Sequence, residues 1–237
     1  MIAFAYALIT SAATLAGGLL PFHPRLRRIE LRYFIAFASG LMISIAFFEM
    51  LPEIDWAEGS TSVVALAAGF FLVYMLEKLV LIHACGEEEC EEHTHSLGWP
   101  AMIGVAVESL IDGVAITASY SVAPALGFTV AAAVFAHELP RGFATTVVMR
   151  NAGHGRRGVA AALAVDAGFT PLGALLAAWL SSPAILPNLI AFAAGTFLYI
   201  GAGDLLPEAH KRFNIKVVLI VLLGAVVVPL AGSVLGV

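Results

Sequence analysis

The chain has 237 residues, of which 60% are hydrophobic and only 12% charged, with a formal net charge of −5. A soluble domain carries about 25% charged residues, so this composition excludes a water-soluble globular protein and predicts an integral membrane protein. With charge so sparse, its placement says more than its sum, and no nucleic-acid partner is expected.

Apolar segments of about 20 residues recur along the chain, which is the helical rather than the barrel signature. Polar, proline and glycine clusters divide them into about eight predicted membrane-spanning helices, near residues 2–20, 31–52, 61–82, 99–121, 126–149, 157–180, 186–206 and 216–236. The fold class is therefore all-α, a single transmembrane domain over 1–237 whose one long connection is a histidine- and glutamate-rich loop at 83–98. The first segment lacks a basic leader and reads as a retained helix rather than a cleaved signal.

Orientation follows from the basic residues. Arg25, Arg27, Arg28 and Arg32, then Lys78, then Arg150, Arg156 and Arg157, then Lys211, Arg212 and Lys216 fall at alternate connections, and so on one side. Every Lys and Arg except Arg141 belongs to this set. Both termini are therefore expected outside and the 83–98 loop in the cytoplasm. Span two ends in Glu49-Met50-Leu51-Pro52-Glu53 and span seven in Asp204-Leu205-Leu206-Pro207-Glu208. Matching motifs in oppositely directed spans point to inverted-repeat organisation.

Glu49 and Glu53, with Asp55 and Glu58, sit at the outer mouth as a cation-concentrating funnel or as ordinary solvated charge. At the inner end Asp204, Glu208 and His210 are candidate release ligands. The loop carries His83, Cys85, Cys90, His93 and His95 among glutamates, a donor mixture suited to soft and borderline metals. Its spacing matches no closed structural zinc site. It reads as a labile metal sink or sensor, with a merely solvated acidic loop as the alternative.

The chemistry concentrates in spans four and five. Glu108 and Asp112 are four residues apart and share a helix face in an otherwise apolar stretch. His137 and Glu138 interrupt the next span at the same depth, followed by Pro140, which kinks a helix interior. An ionisable group at mid-membrane costs about 2.5–3.5 kcal/mol even on a lenient scale, so such a cluster needs a partner. Acids mixed with imidazole indicate a divalent metal held by Glu108, Asp112, His137 and Glu138. Arg141, with Ser109 and Asp166 at similar depth, is expected to balance surplus charge, pairing with Glu138 or Asp166. His-Glu also invites comparison with the zinc-protease helix H-E-x-x-H, but Arg141 occupies the second histidine position.

Together these residues resemble the ZIP (Zrt/Irt-like) metal transporters. The fifth span has His137, Glu138, Pro140 and Gly142 of the family's H-E-x-P pattern. The fourth keeps Asp112-Gly113 of H-N-x-x-[DE]-G, with Glu108-Ser109 in place of His-Asn. Thr170-Pro171-Leu172-Gly173 resembles the sixth-span motif. The resemblance implies eight spans, outward termini, a metal site shared by spans four and five, and a ligand from span two near Met42. It further implies a rigid bundle carrying the site past a scaffold, in a homodimer. Arg141 and Thr170 stand where some members hold acids for a second metal, which argues for one metal, and Glu108 for histidine makes the site richer in oxygen.

The expected function is secondary import of divalent metal (zinc, with iron, manganese or cadmium admitted) across a plasma or inner membrane. No enzymatic activity and no prosthetic group are expected. An intramembrane metal-dependent hydrolase and a non-transporting metal sensor remain as alternatives.

Overall fold

In the computed structural model the described residues are 1–23, 31–54, 56, 60–84, 98–180, 182, 184–211 and 214–235, and among them no strand occurs. The helices are α1 (Ile2–Leu19), α2 (Leu31–Ile45), α3 (Ser60–Ala84), α4 (Gly98–Val122), α5 (Pro124–Asn151), α6 (Arg156–Leu180), α7 (Leu186–Leu198), α8 (Leu206–His210) and α9 (Ile215–Leu235). Among the described residues, six helical stretches are by length and composition apolar enough to cross a membrane: Ile2–Phe22, Leu31–Glu53, Thr61–Lys78, Ala101–Val122, Arg156–Leu180 and Leu186–His210. Of the about eight predicted spans, the remaining two correspond to α5 and α9. The 28-residue α5 is diluted by His137, Glu138 and Arg141, and the apolar part of α9 is shorter, Ile215–Leu230.

Two helices change their winding at the repeated motif. After α2 the backbone widens into a π-helical stretch over Ala46–Met50, followed by a tight turn at Leu51–Glu53. After α7 the same happens over Tyr199–Leu205, followed by α8. Pro52 and Pro207 explain both. Each lacks the N–H its helix would use, and each ring presses on the carbonyl four residues back, so the preceding turn opens. Pro124 at the first turn of α5 has the opposite effect, since its missing donor is not needed there. Gly153, with φ +80°, ends the chain's run through α5.

The helices pack as two sets. In one, α1 lies on α5 and α4 on α6; in the other, α2 lies on α9 and α3 on α7. Every one of these four pairs meets at reciprocal glycines. A Cβ on Gly17 would strike the Leu139 carbonyl and one on Gly142 the Thr14 carbonyl. The same holds for Gly113 against Thr170 with Gly173 against Leu110, for Gly40 against Val221 with Gly224 against Phe37, and for Gly69 against Phe192 with Gly195 against Leu66. In a bilayer, where burying side chains away from lipid gains little, such backbone-to-backbone approach is what binds helices together. The two sets meet through α2 on α5 and α4 on α7, across a buried apolar cluster that includes Met42, Ile45, Ile116, Val134 and Phe197.

Candidate metal centre

Glycines beside the polar residues bring the site together. Gly113 follows Asp112 and seats α6 against α4; Gly142 follows Arg141 and seats α1 against α5. Four helices thus supply side chains to one point. Ligand atoms of Glu108, Asp112 and His137 lie within 4.8 Å of one another, the first partly accessible and the other two buried. His137 Nδ1 is 3.2 Å from the Ala133 carbonyl and Nε2 is 3.3 Å from Asp112 Oδ2. Both oxygens only accept. With Ala133 holding Nδ1–H, a deprotonated Nε2 beside Asp112 offers a cation a nitrogen and an oxygen together.

Arg141 reaches into this group. Its Nη1 donates to Asp112 Oδ2 at 2.9 Å and lies 3.0 Å from Glu108 Oε1. Its Nη2 donates to Ser109 Oγ at 2.8 Å and to Glu138, and lies 3.5 Å from Asp166 Oδ1. The Ser109 hydroxyl in turn donates to Asp166 Oδ1 at 2.8 Å, and Thr145 to its Oδ2 at 3.0 Å. Thr14 donates to Glu138. The sequence expectation that Arg141 pairs with Glu138 or Asp166 describes only one end of the guanidinium; the other end holds Glu108 and Asp112. Glu138 itself faces Thr14 and Arg141 rather than the three clustered ligand atoms. Among the described residues, Asp112 Oδ1, Arg141 Nε and Thr170 Oγ1 are buried without a hydrogen-bond partner.

Met42 is fully buried, in the same apolar cluster as Ile116 and Ala133, residues one helical turn from Asp112 and His137. Glu108 forms part of the wall of a cavity of about 230 Å³ between α3, α4 and the π stretch after α7, at the end where α3 finishes and α4 starts. Asp204 lines the same cavity, as do Glu77 and Tyr199, and the Tyr199 hydroxyl donates to Glu77. Glu208 pairs with Lys211 at 2.6 Å, and His210 Nδ1 lies 2.9 Å from the Leu206 carbonyl. At the opposite end Glu49 accepts from Thr129 at 3.3 Å, and Glu53 is exposed.

Glu77, Thr14 and Thr145 were missed from sequence. Glu77 carries a usable signal, an acid inside the span predicted at 61–82. The two threonines carried none, since hydroxyls in apolar helices ordinarily bond their own backbone. Arg25, Arg27, Arg28, Asp55, Glu58, Cys85, Cys90, His93, His95 and Arg212 lie outside the described residues, as does the His83 side chain.

A profile described as ZIP zinc transporter matches residues 83–231, well over half of the chain. The metal cation symporter ZIP8 of Rattus norvegicus is 31% identical over 123 residues, 52% of this chain and 26% of that protein. The zinc transporter ZIP13 of Pongo abelii is 25% identical over 197 residues, 76% of this chain and 58% of that protein. The zinc transporter ZIP10 of Mus musculus is 29% identical over 125 residues, 52% of this chain and 15% of that protein. The chain thus spans well under two thirds of each of these relatives.

Proposed function

Because this chain belongs to the ZIP zinc transporter family, we propose that it is a secondary transporter importing divalent metal into the cytoplasm, zinc first, with iron, manganese or cadmium also admitted. The observation that carries this reading is the convergence of Glu108, Asp112 and His137 within 4.8 Å on two apolar helices. Imidazole with carboxylates suits transition metals. The relatives' names speak for transport rather than catalysis, and a lone histidine among the clustered ligands speaks against a resident catalytic zinc.

The route runs from Glu49 and Glu53 at the outer mouth, through the cluster, to Glu77 and Asp204. With both termini outside, the 230 Å³ cavity opens to the cytoplasm, and Glu208 and His210 on α8 serve as release ligands beyond it. Met42 and Glu138 complete the coordination as the helices shift, and His83, Cys85, Cys90, His93 and His95 form a labile sink beyond the exit. One metal is carried at a time, since Arg141 and Thr170 replace acids. A potential of about 100 mV, inside negative, would favour inward movement of a divalent cation by roughly 4.6 kcal/mol.

Eight spans in an inverted repeat find support in the packing. Exchanging span one with six, two with seven, three with eight and four with five turns the α1–α5 pair into α6–α4 and the α2–α9 pair into α7–α3. The set holding the site (α1, α4, α5, α6) would move past the other, which would form the homodimer within a plasma or inner membrane.

The test is flux into proteoliposomes with zinc, iron, manganese and cadmium in competition. Zinc uptake is expected to dominate and to fall to background in Asp112→Ala and His137→Ala. Wild-type uptake in both variants would end the reading. Arg141→Glu should raise the number of metals bound per chain.

A further inference from the structure

We infer that the Arg141 guanidinium is a tethered cation that sits in the metal's own seat when the protein is empty, so that metal binds only by displacing it. This rests on Glu108, Asp112 and His137 being the metal ligands.

The three residues whose atoms could hold an ion are the three that one arginine nitrogen touches. Nη1 lies 2.9 Å from Asp112 Oδ2, 3.0 Å from Glu108 Oε1 and 3.4 Å from His137 Nε2. An ion bound by all three would need the space that Nη1 fills. The other nitrogen is anchored separately, on Ser109, Glu138 and Asp166. The fork is therefore divided, one tine in the ligand cluster and one in a neighbouring cradle. That division lets Nη1 leave while Nη2 keeps the side chain beside the site.

The buried atoms without partners point the same way. Asp112 is 0% exposed, yet its Oδ1 receives no donor. A buried carboxylate oxygen in that condition is an open position for a cation, because burial without a partner is costly. Arg141 Nε is likewise buried without an acceptor. The guanidinium thus holds the cluster together while leaving both itself and its best ligand incompletely satisfied.

Displacement also selects. A monovalent alkali ion brings no more charge than the guanidinium it would replace and binds imidazole poorly. A divalent transition metal brings twice the charge and takes the nitrogen readily. Lysine would not serve, since an ammonium is a point charge that cannot divide between two cradles.

Zinc titration of the purified full chain in detergent micelles tests this. Arg141→Gln should bind zinc about ten-fold more tightly than wild type or better, the equivalent of about 1.4 kcal/mol. Damage to the fold would weaken binding, not tighten it. In Arg141→Ala, methylguanidinium should compete with zinc, while leaving wild-type binding unchanged because its own guanidinium fills the seat. Should Arg141→Gln fail to fold, the pair Asp166→Asn with Arg141→Gln removes one acid outside the ligand set along with the cation and carries the same readout. Unchanged or weaker zinc binding without arginine, with binding still lost in His137→Ala, overturns the tethered-cation inference alone. Retention of wild-type zinc binding in both His137→Ala and Asp112→Ala overturns the metal-site reading beneath it.

Discussion

The two helix sets share one joint and differ in everything else. Both are built from pairs crossing at reciprocal glycines. The set of α1, α4, α5 and α6 buries Asp112, His137, Glu138 and Asp166 around Arg141, while the set of α2, α3, α7 and α9 buries mainly apolar side chains such as Ile45, Ile190 and Phe197. The second set holds the two π-helical stretches. Buried charge is thus collected in the set without a π-helical stretch, while the π stretches carry Glu49, partly exposed, and Asp204, exposed. A polar network needs every partner at a fixed distance, because a half-satisfied one is worse than none. Regular helices locked at glycine crossings provide those distances; loosened turns do not.

The sharpest way to break the contrast is Asp112→Asn, which keeps size and removes an acidic ligand. Zinc affinity should drop roughly 100-fold, at the upper end of what even outer partners of metal ligands cost, with little change in melting temperature.

Glycine substitutions come next. Gly142→Ala and Gly40→Ala each overpack one crossing and should destabilise the protein by about 1–3 kcal/mol in thermal melts. Only Gly142→Ala, which pushes the Thr14 backbone away from α5 and its hydroxyl from Glu138, should also weaken zinc binding, by about ten-fold. Equal effects on zinc would mean that the sets are not separable.

Met42→Leu tests whether the apolar set lends a ligand. The swap nearly conserves volume and should cost less than about 1.5 kcal/mol. Loss of a thioether ligand should lower cadmium uptake relative to manganese a few-fold; an unchanged ratio would leave Met42 as packing. The smallest effect on metal binding belongs to Thr145→Val, which removes one donor from Asp166 while Ser109 remains. About 1–3 kcal/mol of stability and no more than a few-fold of zinc affinity should be lost.

Much of this arrangement was legible in the residues. The span predicted at 126–149 is α5, Pro124–Asn151, because Pro124 and Gly153 mark its ends. Glu108 and Asp112 four apart on one face, and His137 and Arg141 four apart on another, announced a polar site by periodicity alone. What periodicity could not supply was the register between helices. Arg141 touching four carboxylates on three helices depends on where α4, α5 and α6 cross, which glycines allow but do not specify. The π stretches were flagged only as repeated Leu-Pro-Glu motifs, since a widened turn leaves the apolar pattern nearly intact. Glu77 stands in a predicted span, but Tyr199 and Asp204 reach it from the π stretch after α7, a contact no local pattern encodes.

The paired crossings change what a routine alanine scan would measure in this protein. Elsewhere alanine trims a side chain and reveals what the trimmed atoms were doing. At Gly17, Gly40, Gly69, Gly113, Gly142, Gly173, Gly195 and Gly224 the same substitution adds a methyl group where two backbones already touch. A damaging alanine at these eight positions would record crowding, and reading it as a missing functional group would misassign the cause.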